Sequence, residues 1–252
     1  MTSTLILYIL RFLAALILPV CAIVFTKVKF AGKIGNFFGG VAVYFVFYCL
    51  IFAVISTYLE VVAKVFEKVE NPITRGSINI IFETVCVAFG YLILFKAAVK
   101  KKNDNGIGVM TGVGFSSMIM LIAYALPSVV NAVIAGMYMK NTEAEISGIF
   151  ESNVAQVFGA TPLSMFYDLL IMICLFVLEV AVAVIFYRVL RCEDRKIWLL
   201  AAVILRIGCY IVIGLGSVMN TAVIVIVAAL IVLVAVGAAY SLTKPFAFKN
   251  EE

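Results

Sequence analysis

The sequence predicts an all-α integral membrane protein, a bundle of about seven transmembrane helices. Hydrophobic residues make up 65% of the 252-residue chain, whereas charged residues make up only 13%. A soluble domain is about half apolar and about a quarter charged, so this composition excludes one. Seven segments are each long and apolar enough to cross a bilayer, which needs about 20 such residues. Residues 1–252 are therefore predicted to form a single membrane domain.

The predicted spans follow one another with mostly short connections. In order along the chain they are 4–26, 36–59, 76–99, 106–126, 164–190, 197–216 and 221–240. The first has the length of a signal peptide, but Arg11 interrupts it and no small-residue cleavage pattern follows, so it is predicted to remain as a span. After the fourth span, Pro127 is expected to release the chain from the helix.

A short amphipathic helix is predicted near 142–158, within the longest connection. Thr142 and Glu145 form a capping box, apolar residues follow at helical spacing, and Gly159 and Pro162 end the run. Such a helix lies on the outer leaflet, either as a cap on the bundle or as a lid or partner surface.

The basic residues predict the orientation of the bundle. The loops after spans one, three and five, with the C-terminal tail, hold 13 of them: Lys27, Lys29, Lys33, Lys96, Lys100, Lys101, Lys102, Arg188, Arg191, Arg195, Lys196, Lys244 and Lys249. The alternate loops hold four: Lys64, Lys68, Arg75 and Lys140. Because cytoplasmic loops carry the excess of Lys and Arg, the N-terminus is predicted outside and the C-terminus in the cytoplasm.

Composition also excludes several kinds of chemistry. Histidine is absent, which removes the commonest general base and the commonest zinc ligand. The six cysteines include no pair at ligand spacing, so neither a metal nor another cofactor is predicted. The net charge of +5 comes from basic residues that flank apolar runs, which indicates a lipid surface as the partner and not nucleic acid.

Four charged residues stand out deep inside the predicted spans, where each costs about 2.5 kcal/mol or more at mid-depth. They are Arg11, Glu83, Glu179 and Arg206. At about 1.5 Å per residue, Glu179 and Arg206 lie about 14 Å from the inner face, and Arg11 and Glu83 about 10 Å below the outer face. The matching depths indicate a neutralised network that keeps the helices in register, with a proton, ion or peptide site as the alternative. Asp168 is assigned to the outer interface.

Small residues recur at Gly108, Gly112 and Ser116 of the fourth span. This stripe predicts a close helix contact, within the bundle or against another protein. Ser116 and Ser117 are the one paired hydroxyl candidate, but no base lies near them in the sequence, so no catalytic residue is predicted.

Three segments together resemble a known family. They are FETVCVAFGYLILFKAAVKKK (82–102), GIGVMTGVGFSSMI (106–119) and DRKIWLLAAVILRIGCY (194–210). In their order and spacing they are similar to the YhfC-like intramembrane metalloproteases of the CAAX-protease and bacteriocin-processing superfamily, to which the seven-span scaffold subunit of gamma-secretase is related. The resemblance covers about 80–215. It implies a seven-span fold in the plasma membrane of a bacterium.

The positions that carry the family's chemistry are nearly all replaced in this chain. Glu83 keeps the first acid of the family's Glu-Glu pair, and Glu179 stands about where relatives carry a histidine. The family's remaining histidines and acids are replaced by Thr84, Phe115, Ile119, Arg206 and Tyr210. The resemblance therefore implies the fold without the metal site and without the acid–base groups.

These features predict a catalytically inactive homologue of an intramembrane protease that acts as a scaffold or binding subunit. The expected partners are membrane lipids and another integral membrane protein. Two alternatives stay open. One is a transporter or carrier that uses the polar cavity around Glu83, Glu179 and Arg206. The other is an active protease with glutamate-based chemistry at Glu83.

Overall fold

The computed structural model describes residues 2–62, 64, 69, 71–98, 105–139, 157–192 and 196–247. Over these residues the chain has no β-strand and forms seven helices that are long and apolar enough to cross a membrane. The predicted all-α bundle of seven spans is thereby confirmed. We number these helices α1 to α7 in chain order.

Four of the helices are α-helical throughout. They are α1 (Thr2–Phe30), α5 (Pro162–Cys192), α6 (Ile197–Gly214) and α7 (Thr221–Ala247). The other three contain wider π-helical turns. In α2 the segments are Ile34–Val43, π-helical Tyr44–Ile51, Phe52–Thr57 and π-helical Tyr58–Val62. In α3 they are Pro72–Ile93 and π-helical Leu94–Ala98, and in α4 they are Asn105–Ile119, π-helical Met120–Ala125 and Leu126–Met139.

Side-chain caps fix where several helices begin. Asn71 before α3 and Asn220 before α7 each accept a hydrogen bond from the backbone N–H two residues on, at 2.9 Å. At the start of α5, Thr161 and Ser164 exchange backbone-to-side-chain hydrogen bonds of 3.0 and 3.1 Å. These side chains satisfy N–H groups that have no partner inside the helix.

The fourth helix is longer than the sequence predicts. The expectation that Pro127 ends it near residue 126 is wrong, because the helical path continues to Met139. A proline removes one backbone donor and clashes with the carbonyl four residues earlier. The π-helical turn over Met120–Ala125 lies immediately before Pro127 and widens the helix there, which accommodates the ring.

The centre of the bundle is α5. It packs against α1, α3, α4, α6 and α7, and every residue from 181 to 189 is buried. Arg188 contributes to this packing, since its Nε and Nη2 donate to the carbonyl of Leu242 on α7 at 3.0 and 2.6 Å. Any side chain that α5 directs inward is consequently held by several neighbours.

The small-residue stripe of the fourth span packs inside the bundle. A Cβ added at Gly112 would lie 2.7 Å from the Cα of Val180, and one at Gly108 would lie 2.9 Å from the Cβ of Tyr187. Both neighbours belong to α5. Ser116 is fully buried and donates to the carbonyl of Gly112 at 2.6 Å. Of the two open readings, a contact within the bundle is therefore the one observed for Gly108 and Gly112.

The amphipathic helix expected near 142–158 falls almost entirely outside the described residues. Of that segment only Val157 and Phe158 are described, the first buried and the second exposed.

Candidate functional site

A buried cluster of polar side chains surrounds Arg206, whose side chain is 1% exposed. Its Nε donates to Glu179 Oε1 at 2.8 Å, its Nη1 to Thr84 Oγ1 at 2.6 Å, and its Nη2 to Glu83 Oε1 at 2.8 Å. Each nitrogen of the guanidinium group thus has a partner. Charge-assisted hydrogen bonds of this length are among the stronger contacts in proteins.

Tyr210 contacts two members of the cluster, Glu179 through its hydroxyl and Arg206 through its ring. Its hydroxyl donates to Glu179 Oε1 at 2.7 Å, so that this one oxygen accepts two hydrogen bonds. Its ring lies under the guanidinium group of Arg206, with 4.6 Å between Cζ and the ring centroid. A cation over an aromatic face gains about 2 kcal/mol when the pair is desolvated.

Three helices bring these groups together. Glu83 and Thr84 are neighbours on α3, Glu179 lies on α5, and Arg206 and Tyr210 lie one turn apart on the same side of α6. The connection between α5 and α6 spans only residues 193–196, so the two helices are antiparallel neighbours with Glu179 and Arg206 at the same level. The pairing of Arg206 with Glu179 that this spacing predicts is present, and Arg206 also contacts Glu83.

Phe115 lies in an aromatic layer beside the cluster. Its ring centroid is 5.6 Å from that of Tyr44, 6.2 Å from that of Tyr48 and 5.7 Å from that of Tyr91. Tyr91 connects the two regions, because it lines one small cavity together with Thr84 and Arg206. The position that the family resemblance assigns to a histidine is therefore filled by tightly packed apolar surface.

The cavity beside Arg206 is too small to hold a water molecule. Its lining also includes Val87, Ala88, Val182, Phe186 and Val203. Among the described residues no group of three or more His, Cys, Asp or Glu is placed to bind a metal ion. The cluster thus offers two carboxyl groups, and the cavity beside Thr84 and Arg206 has no room for a substrate.

Arg11 lies outside this cluster, in contrast to the expected network of four charges. Its Nη1 contacts Asp168 Oδ2 at 3.1 Å, and its Cζ lies 5.1 Å from the ring centroid of Tyr124. The reason is the position of α1, which packs against α4 and α5. At its depth the nearest acid is the one on α5, Asp168, and not Glu83 on α3.

The sequence did not indicate the role of Thr84, which was noted only as the replacement of a family acid. Tyr210 was predicted to belong to the same buried site as Glu83, Glu179 and Arg206. Both residues contact the Arg206–Glu179 pair directly. A sequence signal existed for Tyr210, because a residue four positions after Arg206 shares its helix face. The hydroxyls of Ser116 and Ser117 both donate to carbonyls of their own helix, at 2.6 and 2.5 Å.

None of the protein-family models, curated proteins or solved structures compared with the chain matches it. The resemblance to the YhfC-like family accordingly stays a prediction from the motifs.

Proposed function

We propose that this protein is a catalytically inactive homologue of an intramembrane protease that serves as a scaffold or binding subunit of a membrane protein complex. The observation that carries this proposal is the position of Arg206. A fixed cation, bonded to α3 and α5 through all three of its nitrogens, stands where the resemblance would put a catalytic histidine.

The enclosure of the cluster supports a structural role over a catalytic one. Hydrolysis requires room for a scissile carbonyl and a water within about 3 Å of the reacting groups. The space beside Arg206 is too small for either, and the cluster joins three helices. Breaking a buried ion pair by removing one partner costs about 3–5 kcal/mol, so the cluster strongly favours one arrangement of α3, α5 and α6.

The outer faces of the helices support a partner within the membrane. The described surfaces of α1 and α6 are mainly apolar, with exposed side chains such as Leu10, Ile17, Leu200 and Ile204. Lipid tails and the apolar helices of another membrane protein are the surroundings that such faces fit. The described connections between helices are too short to form a soluble binding domain.

Purification of the tagged chain from its native membrane in a mild detergent tests the proposal. The expected result is one integral membrane protein recovered at a fixed ratio, and lost when the bundle is opened by Gly112→Leu. A matched variant, Gly136→Leu, should retain the partner, because nothing lies within 4 Å of a Cβ at Gly136.

Two other outcomes would replace the proposal. Cleavage of membrane-embedded peptides by the reconstituted chain, abolished by Glu83→Gln, would identify an atypical protease. Selective thermal stabilisation by a solute, with uptake into vesicles, would identify a carrier.

We also propose that the chain is a multi-pass protein of the plasma membrane, with its N-terminus outside. The excess of Lys and Arg in alternate loops supports this orientation. Single cysteines at Lys64 and Lys196, both exposed, can be placed in a cysteine-free chain. An impermeant thiol reagent added to intact cells should label position 64 and spare position 196; the opposite pattern would invert the orientation.

A further inference from the structure

The charges of the buried cluster do not balance. Glu83 and Glu179 bring two carboxyl groups to one guanidinium group, that of Arg206. Fully ionised, the three side chains would carry a net charge of −1 among buried groups inside a transmembrane bundle. An uncompensated charge in such a place costs several kcal/mol.

The other helices that pack against α5 do not supply a balancing cation. The described length of α4, 105–139, contains no acidic or basic residue, and the basic residue of α7, Lys244, lies near its C-terminal end. On α1, Arg11 is paired with Asp168, eleven residues before Glu179, while Lys27 and Lys29 occupy the last turn. Arg188 of α5 is engaged with the carbonyl of Leu242.

One atom marks where the excess charge would reside. Glu179 is 0% exposed, and its Oε2 is buried without a hydrogen-bond partner, while Oε1 accepts two hydrogen bonds. The side chain of Glu83 is 11% exposed, so its charge keeps some access to the surroundings. A neutral carboxylic acid at Glu179 removes the unpartnered ionised oxygen, since Oε2 then carries the hydrogen.

The space available decides which positive ligand fits. The cavity that adjoins Arg206 and Thr84 is too small for a water molecule, and among the described residues no group of three or more His, Cys, Asp or Glu is placed to hold a metal ion. A proton needs no cavity. We propose that the cluster is a proton-binding site that holds one proton at Oε2 of Glu179, with Glu83 and Arg206 as the remaining charged pair.

The titratable groups that interact with Glu179 come from three other helices. They are Tyr48 of α2, Glu83 and Tyr91 of α3, and Arg206, Cys209 and Tyr210 of α6. The hydroxyl of Tyr91 is also buried without a partner. A glutamic acid of the unfolded chain is already ionised at neutral pH, so the folded state binds one proton more, and the bundle should lose stability as the pH rises until this proton is lost as well.

Infrared spectroscopy of the full chain in phosphatidylcholine vesicles tests the site directly. At pH 7 the wild type should show the carbonyl stretch of a protonated carboxyl group, assigned to glutamate by carbon-13 labelling. The band should disappear in Glu179→Gln. It should persist in Asp168→Asn, a matched change at a partly exposed carboxyl group of the same helix. A wild type without the band, or a band that survives Glu179→Gln, would overturn the proposal.

A pH titration of stability provides the second readout. The melting temperature of the wild type should fall as the pH rises from mildly acidic values, while the infrared band is present, and should level off once the band has disappeared. That of Glu179→Gln, which mimics the neutral acid, should lack this fall. Equal pH dependence in both proteins would contradict the assignment to Glu179. If Glu179→Gln does not fold, the wild-type titration alone decides, because a melting temperature that does not change with pH while the glutamic acid band persists would reject the coupling.

Discussion

Arginine–carboxylate contacts occur at three sites in the described part of the chain. The pair Arg75–Glu60 is exposed, and the other two sites differ from each other in burial and in number of partners. The inner cluster joins Arg206 to Glu83 and Glu179, and the outer pair joins Arg11 to Asp168. Asp168 and Glu179 lie eleven residues apart on one face of α5, about 16 Å along the helix axis. In the inner cluster the side chains are at most 11% exposed, whereas Arg11 and Asp168 are 17% and 44% exposed.

The difference shows that burial and the number of partners, not the presence of opposite charges, decide what an ion pair contributes. The Nε, Nη1 and Nη2 atoms of Arg206 each donate a hydrogen bond to a different side chain. Arg11 has one acidic partner, and its buried Nε has none. A pair open to solvent contributes about 0–1 kcal/mol, but removing one member of an enclosed group leaves a costly unpaired charge.

Of the substitutions that test this difference, Arg206→Leu should reduce the stability of the protein most. It leaves two carboxyl groups of the cluster without their shared donor, so the free energy of unfolding should fall by about 3 kcal/mol or more. Equilibrium denaturation in detergent measures this change. The double variant Arg206→Leu, Glu179→Leu should recover part of the loss, because it removes one of the stranded acids. A single variant as stable as the wild type would remove the energetic distinction between the two regions.

Gly112→Leu should cause the next largest loss of stability, because α4 packs closely against the backbone of α5 beside Glu179. A side chain at this position meets the Cα of Val180 and cannot be accommodated without moving α5. Overpacking of this kind costs about 1–3 kcal/mol. Gly136→Leu on the same helix meets nothing within 4 Å and should change stability little. If the two variants melt alike, the close α4–α5 contact does not hold the inner cluster in place.

How far the sequence predicts these regions can be traced to particular residues. Apolar runs gave the seven spans, and equal distances from the short α5–α6 connection placed Arg206 opposite Glu179. The continuation of α4 beyond Pro127 was missed, because no sequence pattern indicates the π-helical turn at Met120–Ala125. The pairing of Arg11 with Asp168 was also missed. The depth of a residue in the membrane can be estimated from its position along a helix, but which helices become neighbours depends on packing.

Thr84→Val should produce a smaller loss than either change above. Valine keeps the shape of threonine but removes the oxygen that accepts from Arg206 Nη1 at 2.6 Å. A hydrogen bond to a charged group contributes about 1.5–3 kcal/mol, and the hydrogen bonds from Arg206 to both carboxyl groups remain, so the lower end of that range is expected. Chemical denaturation measures the change, and the position-matched Thr84→Ser, which retains a hydroxyl, should recover most of it. Equal loss in both variants would attribute the effect to packing.

Asp168→Asn should have the smallest effect, and it tests the outer half of the comparison. The substitution removes the charge that faces Arg11 but keeps an amide oxygen of similar size in the same place. Arg11 then retains the ring of Tyr124, 5.1 Å from its Cζ, and Asp168 is sufficiently exposed for lipid headgroups or water to take its place. The free energy of unfolding should therefore fall by less than about 1 kcal/mol, and the difference from wild type should shrink further as salt is added, since a partly exposed pair is screened. Denaturation at low and high ionic strength measures both effects, with Arg206→Leu as the salt-insensitive reference. A loss of about 3 kcal/mol or more on Asp168→Asn, independent of salt, would mean that the outer pair contributes as much to stability as the inner cluster. Side-chain exposure would then not determine how much an ion pair stabilises this bundle.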